Sequence, residues 1–183
     1  MSRNALALLG VLPMLFFVLY LAVAMQRGKA AEGLWMCHVA NLLLAAGMLT
    51  RKPRLVGMAL AWIILGIPLW ALDVWRSGDV SAVSVLSHLG GLALGIYAAW
   101  RLRLSSNPWL AALLLFVALQ QLCRWLTPEA LNVNLAHAEY EGWNGAFGGY
   151  WAYWLVTTLA AAAALWAIGR TLTAWFKEEG KCC

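Results

Sequence analysis

Three histidines, His38, His88 and His137, stand in a chain that has few other polar residues. Their neighbours supply chemical partners. His38 and Asn41 are three apart, and Ser81, Ser84 and His88 follow steps of three and four, so on helices each set shares one face. An imidazole one turn from a hydroxyl is the least that a base beside a nucleophile requires, and Ser84 and Cys37 are the candidate nucleophiles. In this reading His88 is the general acid or base, His38 is a second polarising group, and Asn41 and Asp73 orient the imidazoles. His38, His88, His137 and Asp73 are also ordinary ligands for zinc, copper or iron, although no H-E-x-x-H spacing is present. Two histidines at similar depth would further permit axial ligation of a haem. The plainest alternative is histidines that join helices by hydrogen bonds to Ser or Asn.

The elements that position these residues are membrane helices. Of 183 residues, 63% are hydrophobic and 11% charged, with 12 Trp, a balance that places the chain outside the soluble classes. Six apolar segments, about 5–25, 34–50, 55–75, 80–100, 108–126 and 150–169, approach the roughly 20 residues needed to cross a bilayer. No alternation of period two runs through them, so the expected fold is all-α: one six-helix transmembrane domain over residues 1–183. Arg3 ahead of an apolar run and Ala22-Val23-Ala24 resemble a signal peptide, but the run exceeds the usual 7–15 residues and is read as a retained helix. Nine of thirteen Lys and Arg residues, Arg3, Arg51, Lys52, Arg54, Arg101, Arg103, Arg170, Lys177 and Lys181, fall on one side, which predicts cytoplasmic termini. The net charge of +5 then reflects orientation and anionic lipid, not nucleic acid.

With that orientation the polar residues gather at the outer side, where Glu32, Asp73, Asp79, Glu129, Glu139 and Glu141 also lie. His38 falls roughly 6 Å and His88 roughly 12 Å below the outer boundary, at 1.5 Å per residue. Gly91 and Gly95 continue the face of His88 and form a G-x-x-x-G that admits a close neighbour, for which segment two is the candidate. On a regular helix Ser87 points away from that face. Segment five contributes Gln120, Gln121, Cys123 and Arg124, with Arg124 suited to a phosphate or carboxylate headgroup. The long outer segment, residues 127–149, carries Asn132, Asn134, His137 and Trp143, together with Leu131, Leu135 and Phe147. It is expected to fold as a lid over an outward-opening polar pocket formed by segments two to five. Four cysteines form no C-x-x-C: Cys182 and Cys183 are placed at the cytoplasmic side, and Cys37 and Cys123 near the outer ends of separate helices.

The stretches CHVANLLLA at 37–45 and SHLGGLALGIY at 87–97 resemble those of a superfamily of small polytopic proteins. It includes the bacterial YwaF-like membrane proteins and the androgen-induced and androgen-dependent hydrolases of fatty-acid esters of hydroxy fatty acids. The shared features are an H-x-x-[N/D] motif in an early helix, a histidine in a middle helix and about six spans. The resemblance implies that His88 matches the catalytic histidine of the hydrolases and that His38 occupies the place of their nucleophilic threonine. That departure removes the expected nucleophile and leaves Cys37 as the adjacent candidate, about 100° round a regular helix from His38. Asn132 and Asn134 correspond to an Asn-containing motif before the last helix of the YwaF-like group. Together these features lead to the expectation of a lipid hydrolase or acyltransferase in the bacterial inner membrane, with membrane lipid as its partner. The alternative is a metal or haem binder, transporter or assembly protein using the same histidines. The residues themselves name no cofactor and no oligomeric state.

Overall fold

The computed structural model describes residues 3–78, 80–104, 106–143 and 145–177. Asp79, Lys181, Cys182 and Cys183 lie outside the described residues, as does the side chain of Arg3. The described residues form helices and turns with no strand. The chain order is α1 (Arg3–Leu9), α2 (Val11–Gln26), α3 (Met36–Thr50), α4 (Pro53–Ser77), α5 (Ala82–Val85), α6 (Gly91–Leu102), α7 (Trp109–Leu126) and α8 (Tyr150–Phe176). A π turn, Leu86–Gly90, joins α5 to α6. Five stretches are long and apolar enough to cross a membrane: Ala5–Gln26, Pro53–Ser77, Ala82–Leu102, Trp109–Leu126 and Tyr150–Phe176. The sixth, α3, has 15 residues. This is an all-α, multi-pass membrane protein.

Each departure from six plain rods has a local cause. The first helix breaks at Gly10 because Pro13 has no N–H for the carbonyl of Leu9 and its ring crowds that carbonyl. At 1.5 Å per residue α3 is about 22 Å long, short of the roughly 30 Å of a hydrocarbon core. The missing length at its start is made up by a 3-10 turn, Ala30–Leu34.

The bundle is organised round α4, which packs on α3 and α6 at one side and on α7 and α8 at the other. Residues from Val56 to Ile63 are buried without a gap, as a helix surrounded on every side must be. Trp62 is fully buried and donates from Nε1 to the carbonyl of Ala112 at 3.0 Å, which ties α4 to α7 without leaving an indole N–H in apolar surroundings. Leu15, Val18, Leu155 and Leu159 remain exposed on α2 and α8 and form lipid-facing surface. Trp75, Trp125 and Trp151 are exposed at the end that carries the 127–149 segment and Trp100 and Trp175 at the opposite end, where interfacial tryptophans belong.

The outer segment is packed into the bundle. Two 3-10 turns, Glu129–Leu131 and Val133–Leu135, bury Val133 and Ala136 completely. The turns require positive φ at Asn132, Asn134 and Leu135, a conformation asparagine tolerates and leucine does not favour. Asn134 repays that strain. Its Oδ1 accepts from the backbone N–H of Met36 at 2.8 Å, and its Nδ2 donates to the carbonyl of Leu34 at 2.8 Å and to Cys123 Sγ at 3.3 Å. A side chain 98 residues downstream therefore caps the first turn of α3, which has no side-chain cap of its own. Gln120 extends the network, donating to the Asn134 carbonyl at 3.0 Å and accepting from Trp154 Nε1 at 2.7 Å, so α3, α7, α8 and the loop share one chain of bonds.

Replacing Asn134 by Ala leaves the Met36 N–H of α3 and the Leu34 carbonyl of the preceding turn unpaired and is expected to cost about 2–4 kcal/mol. His137→Ala removes one bond, to Thr127 Oγ1 at 3.1 Å, and is expected to cost about 1 kcal/mol or less. Denaturant unfolding of the two variants in detergent checks this ordering, and equal losses would show that Asn134 does not seat the loop.

Candidate functional site

Two of the three histidines meet. His38 on α3 and His88 in the π turn lie with ring centroids 5.8 Å apart at 73°, edge to face. They are 2% and 3% exposed, so neither ring opens to solvent. Each has an aromatic partner on its far side. Tyr20 of α2 stacks on His38 at 3.4 Å, and Trp70 of α4 stacks on His88 at 4.6 Å. The result is a file of four rings, Tyr20, His38, His88 and Trp70, running through the interior from α2 to α4.

The π turn makes this arrangement possible. A turn closed by i to i+5 bonds inserts an extra residue into the helix and rotates the residues after it. Here it directs both Ser87 and His88 inward, whereas a regular helix turns Ser87 away. His88 Nδ1 lies 2.8 Å from the carbonyl of Ser84. A carbonyl only accepts, so Nδ1 carries the hydrogen and Nε2 of the neutral ring keeps its lone pair.

The remaining expected partners are committed elsewhere. Ser84 Oγ accepts from Trp70 Nε1 at 2.8 Å, so the expected hydroxyl–imidazole pair is replaced by a hydroxyl–indole pair. Cys37 packs on α4, its Cβ 3.7 Å from where a Cβ on Gly66 would stand, and no hydrogen bond joins its thiol to either imidazole. Asn41 does not orient a ring: its Nδ2 donates to the carbonyls of Cys37 and Ser87, each at 3.0 Å. Gly91 accommodates it, since a Cβ there would stand 2.7 Å from Asn41 Oδ1. The glycine pair is divided between two neighbours, with Gly91 against α3 and Gly95 against Leu60 of α4.

Asp73 is exposed on α4, and His137 is in the outer loop, bonded to Thr127. The proposed set of His38, His88, His137 and Asp73 therefore does not form a metal centre, and among the described residues no three His, Cys, Asp or Glu side chains converge for one. Direct edge-to-face contact between the two imidazoles also leaves no place for a porphyrin between them.

The other predicted binding residues form a second cluster. Gln120 and Asn134 are joined through the Asn134 carbonyl. Arg124 donates to the carbonyl of Ala136 at 2.9 Å and lies over the rings of Tyr150 and Trp151 at 4.7 and 4.8 Å. Asn132 Oδ1 accepts from the N–H groups of His137 and Ala138, both at 3.0 Å, and holds the loop's own shape. Trp143 packs on Tyr140, Phe147 and Tyr153, and Arg76 of α4 reaches the Glu141 carbonyl at 3.2 Å. Gln121 is half-buried and joins neither cluster. The loop thus sits on α3, α7, α8 and the end of α4, beside the imidazole pair and not across it. Tyr20 and Trp70 carry no sequence signal except a matching depth near the outer ends of their helices.

No family model matches the chain, and no solved structure matches it. Among curated proteins, 72 residues of the chain (38%) are 31% identical to the aromatic amino acid transport protein AroP of Escherichia coli strain K12. A stretch of 71 residues is 30% identical to AroP of Salmonella typhimurium strain LT2. The chain spans 16% of the length of these relatives. The similarity is thus to a fragment of a transport protein.

The packing of Cys37 on Gly66 gives a direct check on the register of α3 and α4. A separation of 3.7 Å between Cβ atoms is within the range of about 3.5–4.5 Å that a disulfide needs. Gly66→Cys, in a background lacking Cys182 and Cys183, is expected to form a disulfide with Cys37 under mild oxidation, read as a mass loss of about two hydrogens. Failure to close that bond while Cys37 remains alkylatable would contradict the register.

Proposed function

We propose that this chain is a non-enzymatic, multi-pass protein of the cell inner membrane that takes part in solute transport, with the Tyr20–His38–His88–Trp70 file as its functional element. The observation that carries the reading is the bonding of Ser84. The hydroxyl one turn from the candidate base, that of Ser84, accepts from Trp70 Nε1, and the alternative nucleophile, Cys37, packs on Gly66. An acyl-transfer centre needs a nucleophile hydrogen-bonded to its base; here His88 Nδ1 is bonded to a backbone carbonyl, Ser87 Oγ is buried at the same interface without a partner, and aromatic rings stack on both imidazoles. Intramembrane ionisable residues that are buried and not catalytic characteristically serve substrate, ion or proton pathways.

The similarity to AroP, an aromatic amino acid transport protein by name, supports the transport class and selects the first solutes to test. The broken helix α5–α6 and the short α3 fit the same class, because irregular backbone at membrane depth is tolerated where it is enclosed by protein or lines a solute path.

Purified protein in proteoliposomes is expected to take up radiolabelled Phe, Tyr or Trp above empty vesicles, with His88→Ala reducing uptake at least about tenfold. A parallel assay with a fatty-acid ester offered to the same preparation decides the competing lipid-enzyme reading. Release of fatty acid that depends on His88, without solute uptake, would overturn the proposal.

A further inference from the structure

Three buried side-chain atoms without a partner stand at one interface: His38 Nδ1, Asn41 Oδ1 and Ser87 Oγ. Their residues are 2%, 0% and 1% exposed. His38 and Asn41 are one turn apart on α3, and Ser87 lies opposite in the π turn, its carbonyl 3.0 Å from Asn41 Nδ2. His88 comes directly after Ser87 and contacts the ring of His38. A polar atom orphaned in an apolar interior is costly, and three at one contact between two elements call for a common cause. An amide oxygen only accepts, so its missing partner must bring a hydrogen or a positive charge.

The nature of that charge is set by the surroundings. All the atoms offered are neutral, so a divalent ion would bury two uncompensated charges. A single proton on the imidazole pair suits them better. Tyr20 covers the outer face of His38 and Trp70 that of His88, and aromatic faces stabilise a cation set against them. The ionisable groups around the pair are few. Besides Tyr20, α2 ends toward Arg27, and the following turn holds Glu32, which accepts from Tyr20 OH at 3.5 Å and pairs with Lys29 at 3.6 Å. From α3 comes Cys37, and from α4 Asp73, exposed one turn beyond Trp70. None of these is a charge in contact with the rings.

We infer that the interface of α3 with the π turn is a proton-binding site, in which the contacting imidazole pair of His38 and His88 takes up one proton beside the unpartnered oxygens of Asn41 and Ser87. Binding transfers H+ from water to the lone pair of an imidazole nitrogen, and no bond between heavy atoms changes. The site is occupied at low pH and empties as pH rises. Its use as a coupling ion rests on the transport reading proposed for the chain.

The test uses full-length protein in lipid nanodiscs, labelled with 15N-histidine and titrated from about pH 4 to about pH 8. Signals are assigned from His38→Asn, His88→Asn and His137→Asn. The expected result is one joint transition of His38 and His88, distinct from His137. Ser87→Ala is expected to move that transition down by about one pH unit, an approximately tenfold loss of proton affinity. Ser87 Oγ has no partner to lose, so the alanine variant keeps the fold, and a merely structural serine would leave the midpoint in place. Rings that stay neutral down to about pH 4, or that titrate separately with a midpoint unmoved by Ser87→Ala, overturn the site. A joint transition without solute uptake removes the transport reading and leaves the proton site, and uptake with neutral rings does the reverse.

Discussion

The double donation of Asn41 Nδ2 to the carbonyls of Cys37 and Ser87 is the contact on which the outer third of the bundle depends. In hydrocarbon no water replaces a lost partner, so backbone groups displaced from a regular ladder must be satisfied by another part of the protein. The π turn displaces such groups, and Asn41 provides for one of them from the neighbouring helix. The approach this requires is open only because Gly91 has no side chain in the place that Asn41 Oδ1 occupies. Once α3 and the π turn are that close, His38 and His88 are brought into ring contact. The imidazole pair is in this sense a product of backbone satisfaction, and its environment of Tyr20 and Trp70 is what the adjoining helices then present to it.

A second asparagine solves the same kind of problem at the start of α3. A helix of 15 residues cannot reach across the core, so its first turn begins below the surface and needs a cap that stays dry. Asn134 supplies it from the far side of the sequence and in doing so joins the half of the bundle built by α2, α3 and α6 to the half built by α7 and α8. α3 is thus held by one asparagine of its own and one borrowed from the loop. Any movement of α3 must break one set of these bonds, which makes the loop and the imidazole pair mechanically related although they do not touch.

The spans were legible in the sequence because the bilayer sets a length and an apolar run of that length has few other uses. The expected run at 108–126 is α7 within one residue, and 55–75 is the interior of α4. The gathering of polar residues at one end was legible for the same reason, since depth can be counted residue by residue along a helix. What counting cannot find is a change of helical period. Nothing in LSHLG announces a π turn, so Ser87 is placed outside the site by a regular helix and inside it by the actual one. Pairings between distant elements were equally hidden. Ser84 is one turn from His88 in sequence, yet its hydroxyl is taken by an indole from α4. Asn134 reads as a loop residue available to a substrate, yet its amide is taken by the backbone at the start of α3 and in the turn before it, and by Cys123.

The central claim is that His38 and His88 occupy one buried site. The chain contains three histidines, so ring-13C-labelled histidine gives a solid-state NMR spectrum of the protein in lipid with few signals. The account predicts a carbon–carbon correlation between two imidazole rings at a centroid separation of 5.8 Å, lost in His88→Asn and retained in His137→Asn. Three rings without a mutual correlation, or a correlation that disappears with His137 instead, would contradict it.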